Sequence, residues 1–141
     1  MKLTISPRPT TVISPTGFVN LRAFQIAVPI RLTIAGILSP EFPAILDTGL
    51  SHNLSMREEH VQQWVQLPAR KTGIVFVNGQ AAPTIEADLV LEGITFPLRD
   101  GVVAYPPRHP FAPRLPTLGL RALVRNNIRL LIDGFDVTII S

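Results

Sequence analysis

The chain has 141 residues, 13 Lys and Arg against 10 Asp and Glu, 46% hydrophobic residues, 14 Pro and no Cys. That length suits one domain with an ordinary core, and the lack of Cys excludes disulfides and thiolate metal sites. The net charge of +3 is carried mainly by arginines placed singly along the chain, which argues against a nucleic-acid-binding stripe, and no apolar run reaches the roughly 18–20 residues that span a bilayer.

Proline occurs at about twice its average frequency, which disfavours long helices and favours strands joined by turns. Residues 1–20 read as an extended N-terminal arm, and residues 21–141 as the folded domain. Lys2 to Ile5 suits a short strand, and Pro7, Pro9 and Pro15 keep the following chain extended. This stretch has no apolar leader segment, so the default expectation is a cytoplasmic location. From Val28 the sequence alternates, with Val28, Ile30, Leu32 and Ile34 on one face, as in a half-buried strand. Pro29 assigns its part of that strand to an edge or a start. Ala35-Gly36 opens a turn region that runs through Ser39-Pro40, and Ala44-Ile45-Leu46 forms a short apolar strand entering Asp47-Thr48-Gly49.

Ser55-Met56-Arg57-Glu58 has the spacing of a capping box. Val61, Trp64 and Val65 follow at helical spacing, and Pro68 ends the run. Ile74-Val75-Phe76-Val77 leads into Asn78-Gly79, the strongest short signal for a type I′ hairpin turn. The return strand alternates through Ile85, Ala87, Leu89 and Leu91, and a further strand covers Ile94 to Leu98. Five prolines between Tyr105 and Pro116 dictate an irregular loop. Leu118 to Asn126 suits a short helix with Leu120, Leu123 and Val124 on one side. Ile128 to Ile132 and Phe135 to Ile140 read as strands joined by Asp133-Gly134. Together these elements give an all-β chain with one or two short helices.

Chemistry concentrates at Asp47. A carboxylate ends an apolar strand, Gly49 permits a tight turn that aims its N–H back at that carboxylate, and Thr48 offers a hydroxyl to lock the turn. The tripeptide alone is equally an ordinary turn after a strand. His52, His60 and His109 lack metal-ligand spacing, and Ser51 beside His52 has neither triad order nor the glycines of a nucleophile elbow. Metal and cofactor chemistry are therefore not expected. Trp64 reads as helix-to-core packing, and Glu86 and Asp88 as a solvated strand face.

Phe42-Pro43-Ala44-Ile45-Leu46-Asp47-Thr48-Gly49-Leu50-Ser51 resembles the catalytic loop of the retropepsin-like aspartic proteases, the single-domain relatives of pepsin. Leu115-Pro116-Thr117-Leu118-Gly119-Leu120, followed by Arg121-Ala122-Leu123, resembles the family's second signature, and Ile128 to Asp133 its closing strand. These features lie in family order, with the hairpin between them where such enzymes carry a flap. The resemblance departs at Leu50, where Ala or Ser is usual, and at Leu120-Arg121, where many members have Arg followed by Asp or Asn.

The resemblance implies a closed, homodimeric β-barrel and an aspartic endopeptidase acting on a peptide or protein substrate. One Asp47 from each protomer would form the catalytic dyad. Asp47, Thr48 and Gly49 would be the catalytic residues. Leu50, Ser51, Phe76, Val77, Asn78, Gly79, Gln80, Leu118 and Gly119 would contact substrate. No nucleic acid and no integral membrane segment enter this reading. The alternative is a catalytically weak or inactive module that keeps the fold for dimerisation or peptide binding.

Overall fold

The computed structural model describes all 141 residues and is mostly β. In chain order it begins β1 (Lys2–Thr4), β2 (Thr10–Ser14), β3 (Gly17–Leu21), β4 (Ala27–Ile34), β5 (Ile37–Leu38), β6 (Phe42–Asp47) and β7 (Leu54–Arg57). Helix α1 (Glu58–His60) then widens into a π-helical turn over Val61–Val65. There follow β8 (Lys71–Val77), β9 (Gln80–Ile85), β10 (Asp88–Leu91), β11 (Ile94–Pro97), β12 (Val102–Tyr105) and β13 (Thr117–Gly119). Helix α2 (Leu120–Arg125), β14 (Arg129–Asp133) and β15 (Asp136–Ile140) complete the chain.

The main sheet runs β11-β10-β4-β6-β13-β7-β12-β9-β8, with β5 added on β4. Its two ends, β11 and β8, are not paired with each other, so the strand path is open rather than the closed barrel expected. Strand β4 holds its two halves against different partners. Ala27 to Ile30 pair with β6, and Arg31 to Thr33 pair with β10. Pro29 therefore lies outside the stretch that β10 needs for hydrogen bonding, which is how a proline fits this strand. The alternation predicted for β4 holds: Val28, Ile30, Leu32 and Ile34 are all buried.

These residues belong to a single large core that also takes in Phe42, Leu54, Met56, Trp64, Leu89, Val102 and Leu118. Trp64 is fully buried beneath His60, which stacks on it at 4.0 Å between ring centroids. The indole N–H donates to Thr16 Oγ1 at 2.9 Å, so the aromatic body is buried and its polar group is satisfied.

Three local readings are corrected. The second half of the arm expected over residues 1–20 is not extended: residues 10–21 form the β2–β3 hairpin, turning at Pro15-Thr16. Ser55 is no helix cap: it sits in β7, antiparallel to β13 and parallel to β12, and Arg57 precedes the helix without a side-chain cap. Long-range pairing on both sides of β7 overrides the local capping pattern. On α2 the buried residues are Ala122 and Leu123, while Leu120 and Val124 face outward.

The chain ends meet in a separate sheet ordered β1-β15-β14. Strand β15 is its central member, paired with β14 and β1 on its two sides. The last strand is thus covered within its own chain, and the free edges belong to β1 and β14. Leu131, Ile132 and Phe135 are exposed on this sheet and its turn. No helix of the chain is long and apolar enough to cross a membrane.

Candidate active site

Strand β6 buries Phe42, Pro43 and Ala44 and carries Asp47 out at its end. The Asp47 carboxylate is exposed in the single chain. The Gly49 N–H donates to Asp47 Oδ1 at 2.9 Å, the turn expected from the sequence. The Leu50 N–H closes the loop by donating to the Asp47 carbonyl at 3.2 Å. Thr48, Gly49 and Ser51 are exposed around it, and Leu50 is half-buried.

Strand β13 fixes this loop from the other signature segment. It is wedged between β6 and β7, parallel to the first and antiparallel to the second. Its register sets Leu118 beside Leu46 and Gly119 beside Asp47. The Gly119 N–H donates to the Asn53 carbonyl, and the Leu120 N–H to the Leu50 carbonyl, both at 2.9 Å. A Cβ on Gly119 would stand 2.1 Å from the His52 carbonyl oxygen and 2.9 Å from that of Leu50. Only glycine allows the two segments to approach so closely. Leu118 is entirely buried in the core, so it supports the loop from beneath and presents no surface to a ligand.

Beside Asp47 lies a cavity of about 190 Å³ lined by Arg22, Gln25, Ile45, Asp47, Arg114, Leu115 and Thr117. Arg22, Gln25 and Arg114 were not legible as site residues. They come from the β3–β4 connection and the proline-rich loop, and only the fold brings those segments together. Arg114 Nη2 donates to the Asn20 carbonyl at 2.8 Å. The Arg22 N–H donates to Gln25 Oε1 at 2.7 Å.

The β8–β9 hairpin forms as its sequence predicts. Asn78 and Gly79 have φ of 47° and 81°, the left-handed pair of a type I′ turn. The return strand is shorter than its alternation suggests, because it divides into β9 and β10 around Glu86-Ala87. Phe76, Asn78, Gly79 and Gln80 are exposed, while Val77 packs against the small cluster of Ala82, Val103 and Tyr105. His109 faces the hairpin: its Nε2 lies 3.4 Å from the Gln80 carbonyl oxygen, and its Nδ1 accepts the Phe111 N–H at 3.1 Å. None of the hairpin residues lines the Asp47 cavity.

Outside the loop, Asn53 is buried and donates through Nδ2 to the carbonyls of Arg99 and Gly101. It ties the loop to the Arg99–Gly101 turn. Arg125 and Arg121 of α2 both reach Asp100, at 2.7 and 3.5 Å. The Arg125 hydrogen bond, more than any other influence, holds the Asp100 carboxyl below its usual range. Arg129 lies apart from these two, on β14. Burial, and then the charge of Arg121, lowers the pKa of His52.

The chain matches no protein-family model, no curated protein and no solved structure.

Proposed function

We propose that the protein is a homodimeric, retropepsin-like aspartic endopeptidase in which two Asp47 residues, one from each protomer, form the catalytic dyad. The observation that supports this reading most is the register of β13 on β6. Two segments far apart in sequence, each resembling one signature of that family, lie side by side with Gly119 against Asp47. An ordinary Asp turn would need no such partner.

The chemistry follows from two carboxylates sharing one proton. The ionised carboxylate accepts a proton from water as the water oxygen attacks the peptide carbonyl carbon. The protonated carboxylate gives its proton to the carbonyl oxygen. Collapse of the tetrahedral intermediate breaks the C–N bond; the nitrogen takes a proton from the carboxyl that accepted it from water, a hydroxyl of the intermediate returns a proton to the other carboxylate, and a carboxylic acid and an amine leave with the dyad's single proton restored. The Gly49 N–H, bonded to Asp47 Oδ1, orients the carboxylate. The exposed Thr48 is available to brace the partner's loop. The β8–β9 hairpin, with Phe76 exposed near its tip, serves as a flap that closes over an extended peptide.

The test is a digest of a peptide library between pH 4 and 7, comparing the protein with Asp47→Asn. The amide nearly matches the acid in shape but cannot act as a base. Cleavage should vanish in the variant while its fold and assembly stay the same. Cleavage by the purified variant at the rate of the unaltered protein rules the mechanism out.

A further inference from the structure

We infer that the Asp47 site selects peptides carrying an acidic side chain close to the scissile bond, and that Arg22 and Arg114 bind that carboxylate. This rests on the peptidase reading above and extends it to substrate class. Arg22 and Arg114 line the same small cavity as Asp47. They also line a second cavity of about 480 Å³, together with Pro9, Thr10, Thr11 and Asn20. The arginines therefore stand where the two spaces meet, and a chain leaving Asp47 through them passes both cations.

Neither arginine is used internally as a charge. The chain's ion pairs join the N-terminal amine to Glu92, and Arg121 and Arg125 to Asp100. Neither Arg22 nor Arg114 lies within ion-pairing distance of a carboxylate, Asp47 included. The Arg114 side chain and the Arg22 backbone are held in place. Arg114 is anchored through one nitrogen on the Asn20 carbonyl, which leaves its other N–H groups free. Arg22 stands on a tight turn closed in both directions: its N–H donates to Gln25 Oε1 at 2.7 Å, and the Gln25 N–H donates to its carbonyl at 3.3 Å. Two arginines without a carboxylate partner beside one cleft suit a carboxylate, which accepts paired hydrogen bonds from a guanidinium. A basic side chain at the same place would meet two like charges.

The experiment uses the full-length protein and a set of peptides with both ends blocked. A single Glu or a single Gln occupies each position within four residues of the central bond. One form of each peptide has a reduced, uncleavable central bond for calorimetric binding, and the other has an ordinary bond for cleavage. At one or two neighbouring positions Glu should bind about tenfold more tightly than Gln, the ratio expected of a charge-assisted pair. The preference should shrink as salt rises. It should nearly disappear in the double variant Arg22→Gln, Arg114→Gln and partly survive in Arg22→Lys, Arg114→Lys. Equal binding of Glu and Gln at every position, or a preference unchanged in the double Gln variant, overturns the inference. The ordinary peptides judge the peptidase reading separately. Acid-selective binding without cleavage defeats that reading while upholding the carboxylate site, and cleavage indifferent to Glu defeats the carboxylate site alone.

Discussion

Replacing Gly119 by Ala should strongly destabilise the chain. The new Cβ would stand 2.1 Å from the His52 carbonyl oxygen, 2.9 Å from the Leu50 oxygen and 3.1 Å from the His52 carbonyl carbon. All three obstacles are backbone atoms, so no side-chain rotation relieves them. Strand β13 and the Leu50–Asn53 segment must move apart. Overpacking of this kind typically costs about 1–3 kcal/mol. The separation also stretches the Leu120 N–H bond to the Leu50 carbonyl, for which about 1 kcal/mol is typical. The expected loss is therefore ~3 kcal/mol. Unfolding entropy near 2.1 cal/mol/K per residue, over 141 residues, converts this to a drop in Tm of about 10 °C. Thermal unfolding followed by circular dichroism measures it. The control is Gly134→Ala, at φ +60° with nothing within 4 Å of the new Cβ. That variant carries only the left-handed backbone strain of about 1–2 kcal/mol. A Gly119→Ala shift no larger than that of Gly134→Ala refutes the close apposition of the two signature segments.

Two further outcomes are expected. Gly79→Val sets a β-branched residue at φ +81°, which strains the hairpin turn by roughly 1–2 kcal/mol and should lower kcat while sedimentation shows the same assembly; unchanged kinetics would mean that the hairpin is no lid. Stability should fall on acidification, in two stages. His52 and His60 are lowered from 6.5, each chiefly by burial, so the unfolded chain binds their protons more readily and folding weakens as pH falls through that value. Asp100 is lowered from 3.8, so its contribution is present above that value and is lost as pH falls through the folded-state pKa. Urea titrations across pH 3–8 measure both stages, and His60→Gln should flatten the upper one.

Local signals were the ones that could be read in advance. The strict alternation of Val28, Ile30, Leu32 and Ile34 needs no partner to be recognised, and Asn78-Gly79 specifies its hairpin by turn chemistry alone; the last hairpin turns at Gly134-Phe135, one residue later than Asp133-Gly134 suggests, because Asp133 pairs with Asp136. Asp47-Thr48-Gly49 was visible for the same reason, since Gly49 closes the turn two residues from Asp47. Ser55 misled because its helix-cap spacing is local, while its strand partners, Thr117 and Val103, are remote. Strand β13 overlaps the start of the expected helix, because three residues carry too little periodicity to declare a strand. The β2–β3 hairpin was hidden by prolines at its flank and turn. Arg22 and Arg114 looked like any other scattered arginines, and only folding gives them a common cavity with Asp47.

The shared dyad is tested most directly by mixing protomers. The protein is combined with increasing amounts of Asp47→Asn, subunits are allowed to exchange, and peptide cleavage is measured per wild-type chain. If each site takes one Asp47 from either protomer of a two-fold dimer, mixed dimers are inactive. An equal mixture should then retain about half the activity per wild-type chain by random pairing, and excess variant should drive activity towards zero. Activity per wild-type chain that stays constant at every ratio, with exchange verified by mass, contradicts the account and requires a complete site within one chain.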